Sequence, residues 1–505
     1  MLRKTRIGIA VILFTLTTFY FLDFADILPS EFHWLARLQV IPAVLSFSLI
    51  ILIALSALTL VFGRIYCSTI CPMGVWQDII IRIRQSIGKK KKRYKFRPAR
   101  NVLRWTIVAI VLATTLLGFT TLLALVDPYS AYGRIAVQLF KPIYMLGNNL
   151  FEYVFSQFDN YTFYKVEITI VSLLSFLIAL ITFLSISILA GIKGRTFCNT
   201  ICPVGTILGL LSRYSRFQVR INTSKCNSCG LCETRCKASC INSKEHTIDS
   251  SRCIDCFNCI GVCKQNALVF TTNVTDEGTI VNDSSKRRFL LAGVAAAGTT
   301  TFLGKTQKTL AKVKGTTPYA RKTSITPPGS ISQERFNQQC TSCHLCVSKC
   351  PSHILKPAFM EYGLEGIMQP TINFDKGFCN FDCTVCGEVC PNHAITPLTI
   401  DQKHLTQMGY VVFIQENCIV YTDETSCGAC SEHCPTQAIS MIPFRNGLTI
   451  PHINTEICVG CGGCEYVCPA RPFRAVHIEG NLVQQKAKPF KESEKHKVEI
   501  DDFGF

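Results

Sequence analysis

Histidine is scarce where it would count. The 505-residue chain has ten, and only His33 lies among its first four apolar runs. A transmembrane haem held by paired imidazoles is therefore excluded, and with it a cytochrome b architecture. Acidic residues are few as well, 34 against 52 Lys and Arg, leaving a formal charge of +18. The basic surplus sits beside apolar runs, where it sets membrane orientation, so no nucleic-acid partner is expected. No substrate-converting catalytic constellation stands out. The chain reads as an electron-transfer component, a quinol dehydrogenase at most and not a terminal reductase.

What is abundant is apolar sequence and cysteine. Hydrophobic residues make up 48% of the chain, and four apolar runs come first, at 7–22, 40–62, 102–126 and 166–190. At about 1.5 Å per residue, the last three can cross roughly 30 Å of hydrocarbon and the first is marginal. Lys and Arg number three before the first run, twelve in 63–104 and six in 191–225, against four in 23–39 and 127–165 together. Both ends of the bundle are therefore expected in the cytoplasm, with the KKKKR run at 89–93 as an inside anchor against membrane lipid. The expected fold class is a membrane α-helical bundle of four helices carrying α+β ferredoxin-like iron–sulfur domains. In the first outer loop, His33, Trp34, Arg37 and Gln39 are expected as interfacial anchors, with contact to a quinone head group as the alternative.

The bundle contains a duplication. GRIYCSTICPMG at 63–74 recurs as GRTFCNTICPVG at 194–205, with eight of twelve positions identical. Two helix hairpins thus end in the same Cys-x3-Cys-Pro device, Cys67 with Cys71 and Cys198 with Cys202. Proline suits the first turn of a helix, which places Cys71 and Cys202 at helix N-termini. There the dipole and the neighbouring Arg64 and Arg195 would lower a thiol pKa. These four cysteines are candidates for an electron relay or for holding a further cofactor; a structural turn around inert thiols is the plain alternative.

Twenty-nine cysteines in a chain of this length read as metal thiolate sites rather than a disulfide framework. Cys226, Cys229, Cys232 and Cys236 obey the Cys-x2-Cys-x2-Cys-x3-Cys rule, and Cys253, Cys256, Cys259 and Cys263 repeat it. In a two-cluster bacterial ferredoxin the fourth cysteine of each run ligates the other cluster. That assigns Cys226, Cys229, Cys232 and Cys263 to one 4Fe-4S cluster, and Cys253, Cys256, Cys259 and Cys236 to its partner. Cys240 is left over, and Lys237 and Lys264 stand where proline usually follows.

Four further quartets lie downstream: Cys340, Cys343, Cys346 and Cys350; Cys379, Cys383, Cys386 and Cys390; Cys418, Cys427, Cys430 and Cys434; and Cys458, Cys461, Cys464 and Cys468. Each is closed by proline, and together they supply four more 4Fe-4S clusters, six in the chain. Zinc is disfavoured because its sites seldom use three cysteines at two-residue gaps. Cys340-Thr-Ser-Cys343-His344 also fits the haem-attachment pattern, but the quartet continues through Cys346 and Cys350 without a break.

Between the two cysteine sets, residues 284–304 read SSKRRFLLAGVAAAGTTTFLG. A basic pair followed by Phe-Leu and a weakly apolar Ala/Gly segment resembles a twin-arginine export signal. With no clear Ala-x-Ala site after it, retention as a fifth, signal-anchor helix is expected. The expected division is 1–221 transmembrane, 222–283 two-cluster ferredoxin, 284–304 signal-anchor, 305–336 Pro-Pro-Gly linker, 337–485 four-cluster ferredoxin and 486–505 polar tail.

Taken together, the part up to about residue 269 resembles the NapH-type membrane ferredoxins, with four helices, two Cys-x3-Cys-Pro devices and a two-cluster domain. From residue 286 onward the chain resembles the NapG-type exported ferredoxins, most specifically in the long first gap from Cys418 to Cys427. The resemblance implies a fusion of two proteins that together pass electrons from quinol towards a periplasmic reductase. It implies a multi-pass protein of the bacterial inner membrane, with the first ferredoxin domain cytoplasmic and the second periplasmic. Its expected partners are the quinone pool and a periplasmic oxidoreductase or cytochrome. It also implies quartets paired first with fourth and second with third. Two alternatives remain open: reduction by a cytoplasmic ferredoxin or flavodoxin, and a maturation factor that reduces a metal or cofactor centre of an exported enzyme. No obvious midpoint carrier is legible in the helices.

Overall fold

The computed structural model describes residues 2–25, 27–87, 94–168, 172–272 and 318–489. The signal-like segment at 284–304, the first part of the expected linker, the basic run at 89–93 and most of the expected tail lie outside the described residues.

Two of the four apolar runs form helices long and apolar enough to cross a membrane, Leu2–Leu22 and Leu173–Lys193. The other two are interrupted, which corrects the expectation of four continuous spans. The run at 40–62 divides into Val40–Leu45 and Leu49–Phe62. Phe47 takes a left-handed backbone between them (φ 52), and the hydroxyls of Ser46 and Ser48 bond across the break at 2.8 Å. The run at 102–126 divides into Asn101–Leu116 and Thr121–Val126. Gly118 supplies the turn with a φ of 90, a conformation that costs glycine nothing. At this break the Thr120 hydroxyl donates to the carbonyls of Asn337 and Cys340, at 2.6 and 3.2 Å. The interruption is thus a docking point for the second ferredoxin unit.

The stretch 127–165, expected as an outer loop, is also largely helical. Asp127 caps a helix by accepting from the Ser130 amide at 2.8 Å, with Pro128 in the first turn. This helix, Pro128–Ile135, continues through one π-helical turn, Ala136–Phe140, into Lys141–Ser156. Every residue of Pro128–Ile135 is buried. Tyr132 hydrogen-bonds Thr18 of the first helix and meets Phe14 edge-on, with ring centroids 5.6 Å apart. Phe140 packs in the same way on Trp76 and Phe183.

The ferredoxin units are built from short ribbons. Every sheet among the described residues is a two-stranded antiparallel pair, too small to be stable without something to hold its ends together. In the first unit Phe217–Ile221 pairs with Leu268–Thr272. In the second, Thr406–Phe413 pairs with Val476–Lys486, Leu355–Pro357 with Pro370–Ile372, and Ile439–Pro443 with Thr449–Ile453. The described end of the expected linker is part of this second unit. Arg321 donates to the Ile478 carbonyl at 2.8 Å, Ile325 is fully buried, and the Gly329 amide donates to Gln484 at 2.9 Å.

The two units dock at opposite ends of the Leu2–Leu22 helix. Near its start, Arg6 pairs with Asp78 at 3.3 Å, and Asp78 also pairs with Lys237 of the first unit at 3.2 Å. At its end, the Phe21 carbonyl accepts from Ser348 at 2.7 Å, and Asp23 pairs with Lys349 at 2.8 Å. Burial alone would push the Asp23 carboxyl up, but the Lys349 hydrogen bond and two backbone amides hold it below its ordinary value. Arg6 and Phe21 are 15 residues apart along the helix, roughly 22 Å of rise.

Candidate metal centres

In the first unit, Cys226, Cys229, Cys232 and Cys263 line one cavity of about 390 Å³. Cys236, Cys253, Cys256 and Cys259 line a second, of about 340 Å³. Three ligands thus come from one run and the fourth from the other. Cys240 faces the second cavity as well, with its sulfur 3.5 Å from that of Cys236. Among the described residues, no three His, Cys, Asp or Glu side chains are drawn around the place of a single metal ion. The cysteines surround a space instead, which is the arrangement a multi-iron cluster requires.

The second unit repeats this geometry twice. Cys379, Cys383 and Cys386 share a cavity of about 370 Å³ with Cys350. Cys418, Cys427 and Cys430 share one of about 340 Å³ with Cys468. The complementary sets follow: Cys390 lies among Cys340, Cys343 and Cys346, and Cys434 among Cys458, Cys461 and Cys464. Quartets therefore pair first with second and third with fourth, which corrects the pairing implied by the resemblance. The physical reason is local: each pair is closed by the ribbon lying between its two quartets, Leu355–Pro357 with Pro370–Ile372 in one case and Ile439–Pro443 with Thr449–Ile453 in the other.

The four cavities repeat one lining, three cysteines of one run with the last of another, which argues for one kind of guest, and the sulfurs are prepared for it. Fourth cysteines accept a backbone N–H: Cys263 from Ala267 at 3.3 Å, Cys390 from Ile395 at 3.5 Å, Cys434 from Ala438 at 3.2 Å and Cys468 from Ala475 at 3.3 Å. Such bonds stabilise a thiolate and raise the potential of a cluster bound to it. His344 is not free to act as a haem ligand. Its Nε2 donates to the Met368 carbonyl at 2.9 Å, leaving Nδ1 to accept from Gln138 at 3.5 Å. Burial, with Arg134 nearby, pushes its pKa down to about 3 and keeps it neutral.

The two Cys-x3-Cys-Pro devices come together in the helical part. Helices Pro72–Ile87 and Pro203–Ser212 start at the proline of each, as expected. Each arginine reaches across to the other copy: Arg64 donates to the Cys198 carbonyl at 3.2 Å, and Arg195 to the Cys67 carbonyl at 3.0 Å. Gly74 and Gly205 make room for this crossing, since a Cβ at either would lie 2.2 or 2.1 Å from the carbonyl of Cys67 or Cys198. Arg64 also reaches the first ferredoxin unit, donating to Ser251 O at 3.0 Å. Asp255 of that unit accepts from the Arg64 backbone, and its burial pushes the carboxyl up to about 7.

From this place Tyr66, Asp127 and Tyr129 lead to the second unit. Tyr66, beside Cys71, lies within electrostatic reach of Asp127. Tyr129 in turn lies beside Cys343 and Cys390. Gly133 touches the Cys343 carbonyl, and Arg134, Gln138 and Lys141 contact Ser342, His344 and Ser348. Sequence reasoning missed these residues. The only signal was the i, i+4, i+7 spacing of three polar side chains within an apolar stretch. Of the residues expected as interfacial anchors, with quinone contact as the alternative, Gln39 accepts from Tyr66 at 2.8 Å, Arg37 donates to Glu388 O at 3.4 Å, and Trp34 is half-exposed.

A family model described as a 4Fe-4S binding domain matches residues 45–94 and 174–222, and one described as a 4Fe-4S dicluster domain matches 425–471. The chain is similar to the ferredoxin-type protein NapG of Escherichia coli (strain K12), 31% identical over 200 residues, or 37% of this chain and 81% of that protein. It is similar to the methylamine utilization ferredoxin-type protein MauM of Methylorubrum extorquens, 31% identical over 193 residues, 36% of this chain and 84% of that one. Similarity to the ferredoxin-type protein NapF of Escherichia coli (strain K12) is 29% over 157 residues, 31% of this chain and 87% of that one. No solved structure matches the chain.

Proposed function

We propose, on the premise that this chain belongs to the NapG family of ferredoxin-type iron–sulfur electron-transfer proteins, that it conducts electrons across a bacterial inner membrane, from quinol to a periplasmic oxidoreductase or cytochrome. In this reading a NapH-like membrane half is fused to a NapG-like exported half, with the first ferredoxin unit cytoplasmic and the second periplasmic. One observation carries it. The two units dock at opposite ends of the Leu2–Leu22 helix, with the Cys-x3-Cys-Pro cysteines, Tyr66 and Tyr129 in the core packed between them.

Six 4Fe-4S clusters, held by the twenty-four quartet cysteines, would supply one-electron storage. The chain's own residues do the positioning. Arg134, Gln138 and Lys141 fix the second unit against the buried helix, and Lys141 donates to the Ser348 carbonyl at 2.6 Å. Arg64 and Arg195 lock the two repeats together and tie them to the first unit, the Arg195 backbone N–H donating to the Lys237 carbonyl at 3.0 Å. The excess of Lys and Arg on 63–104 and 191–225 supports a cytoplasmic placement of the first unit.

The test is reduction of membranes carrying the full chain by a quinol analogue with no cytosolic donor present. Cluster EPR signals are expected to appear. If they appear only on adding reduced ferredoxin or flavodoxin, quinol is not the donor.

A further inference from the structure

After the quartets are assigned, five cysteines remain: Cys240 and the four in the stretches that the 4Fe-4S binding model matches separately, Cys67 with Cys71 and Cys198 with Cys202, which the structure collects in one buried place. Each of these four is 3 or 4% exposed, and none is in a disulfide. Cys202 lies within electrostatic reach of Cys198, Cys71 and Cys67, and Cys71 of Cys198 and Cys67.

Every one of the four sulfurs is met by an N–H donor. Arg64 Nη2 lies 3.8 Å from Cys67 Sγ and Arg195 Nη1 3.8 Å from Cys198 Sγ. Gln77 Nε2 donates to Cys198 Sγ at 3.2 Å, and the Gly205 amide to Cys202 Sγ at 3.4 Å. The Gly74 amide serves Cys71 in the same position of the other repeat. A neutral thiol is a weak acceptor, whereas a metal-bound thiolate takes such bonds readily.

Charge points the same way. The Arg64 side chain is fully buried, and among the described residues it forms no ion pair with a carboxylate; its guanidinium faces Asn199 Oδ1, two carbonyls and Cys67 Sγ. A buried guanidinium without an anion costs several kcal/mol. The groups beside it that can carry negative charge are Cys67, Cys198 and Cys202, with the Asp255 carboxyl of the first unit, which accepts from the Arg64 backbone N–H, as a fourth. Four thiolates around a doubly positive iron–sulfur core leave a net dianion, which Arg64 on one side and the cluster of Arg195, Lys237 and Arg6, three cations to the one Asp78 carboxylate, on the other would offset.

We propose that Cys67, Cys71, Cys198 and Cys202 together hold a seventh iron–sulfur cluster, shared across the two repeats and placed between the two ferredoxin units. This goes beyond the electron donor and acceptor proposed above and does not depend on either. The experiment compares the anaerobically purified full chain with a Cys71→Ser/Cys202→Ser variant, by iron and acid-labile sulfide per chain and by EPR during reductive titration. The variant is expected to lose about two to four irons and one signal, with the ferredoxin signals retained. Equal iron in both proteins, or a disulfide among the four cysteines found by mass spectrometry, overturns the proposal. A second variant guards against misfolding. Gln77→Leu introduces the residue that the other repeat already has at Leu208, and removes the donor to Cys198 Sγ. It should shift the midpoint of that one signal to lower potential and leave the others in place; a shift in none overturns the proposal.

Discussion

The two Cys-x3-Cys-Pro copies share eight of twelve residues, yet among the differences around them one carboxylate and one hydroxyl stand out. Arg195 is paired with Asp78 at 2.8 Å. The position equivalent to Asp78 in the second copy is Gly209, where a Cβ would lie 2.5 Å from the Ser251 carbonyl of the first ferredoxin unit. Docking of that unit therefore leaves no room for a carboxylate at this position, and the anionic groups within reach of Arg64 are the sulfurs of Cys67, Cys198 and Cys202 and the Asp255 carboxyl of the docked unit. Likewise Tyr66 extends towards Gln39, while Phe197 at the equivalent position has no hydroxyl to extend. The duplication supplies a symmetric sulfur cradle, and the two domains bound to it make its electrostatics asymmetric.

The largest effect should come from removing the feature that only one copy has. Asp78→Asn leaves Arg195, Lys237 and Arg6 facing one another without an anion. The cost should be about 3–5 kcal/mol, measured as a fall in the thermal unfolding midpoint of the detergent-purified protein. A negligible change would mean that the sulfurs compensate both arginines alike, and the asymmetry would be lost.

Next come the positions where the copies are alike. Gly74→Ala and Gly205→Ala each put a methyl group against a cysteine carbonyl and the crossing arginine. Each should cost about 1–3 kcal/mol, and by similar amounts. Clearly unequal midpoints in the same unfolding assay would break the equivalence of the repeats.

The smallest change makes the first copy resemble the second. Tyr66→Phe removes the hydroxyl that Gln39 accepts from, at a net cost of about 0.5–1.5 kcal/mol. If Tyr66 matters chiefly for electron passage, the rate of reduction of the second unit in freeze-quench EPR should fall by more than this loss of stability explains. An unchanged rate would confine Tyr66 to packing.

Much of the candidate site was legible because ligation is local. Three of four ligands to each cavity fall within short cysteine runs, so Cys226, Cys229 and Cys232, or Cys458, Cys461 and Cys464, announce themselves by spacing alone. The helix starts at Pro72 and Pro203 were legible for the same reason. Helix continuity was not. Hydropathy registers composition, and it passed over the left-handed backbone of Phe47 and the turn at Gly118. The buried helix Pro128–Ile135 was hidden because its polar positions answer to the backbone of another domain rather than to solvent.

By itself, then, the sequence determined the cysteine sets, the duplication and the ferredoxin character of the chain, since each rests on residues a few positions apart. Only the tertiary structure decided which quartets pair, where the two ferredoxin units dock, and that the two repeats face each other. The Arg64–Asn199 and Arg195–Cys67 bonds join residues 135 and 128 positions apart. Contacts across such separations are chosen by packing and by the need to compensate buried charge, and neither leaves a periodic trace in one chain.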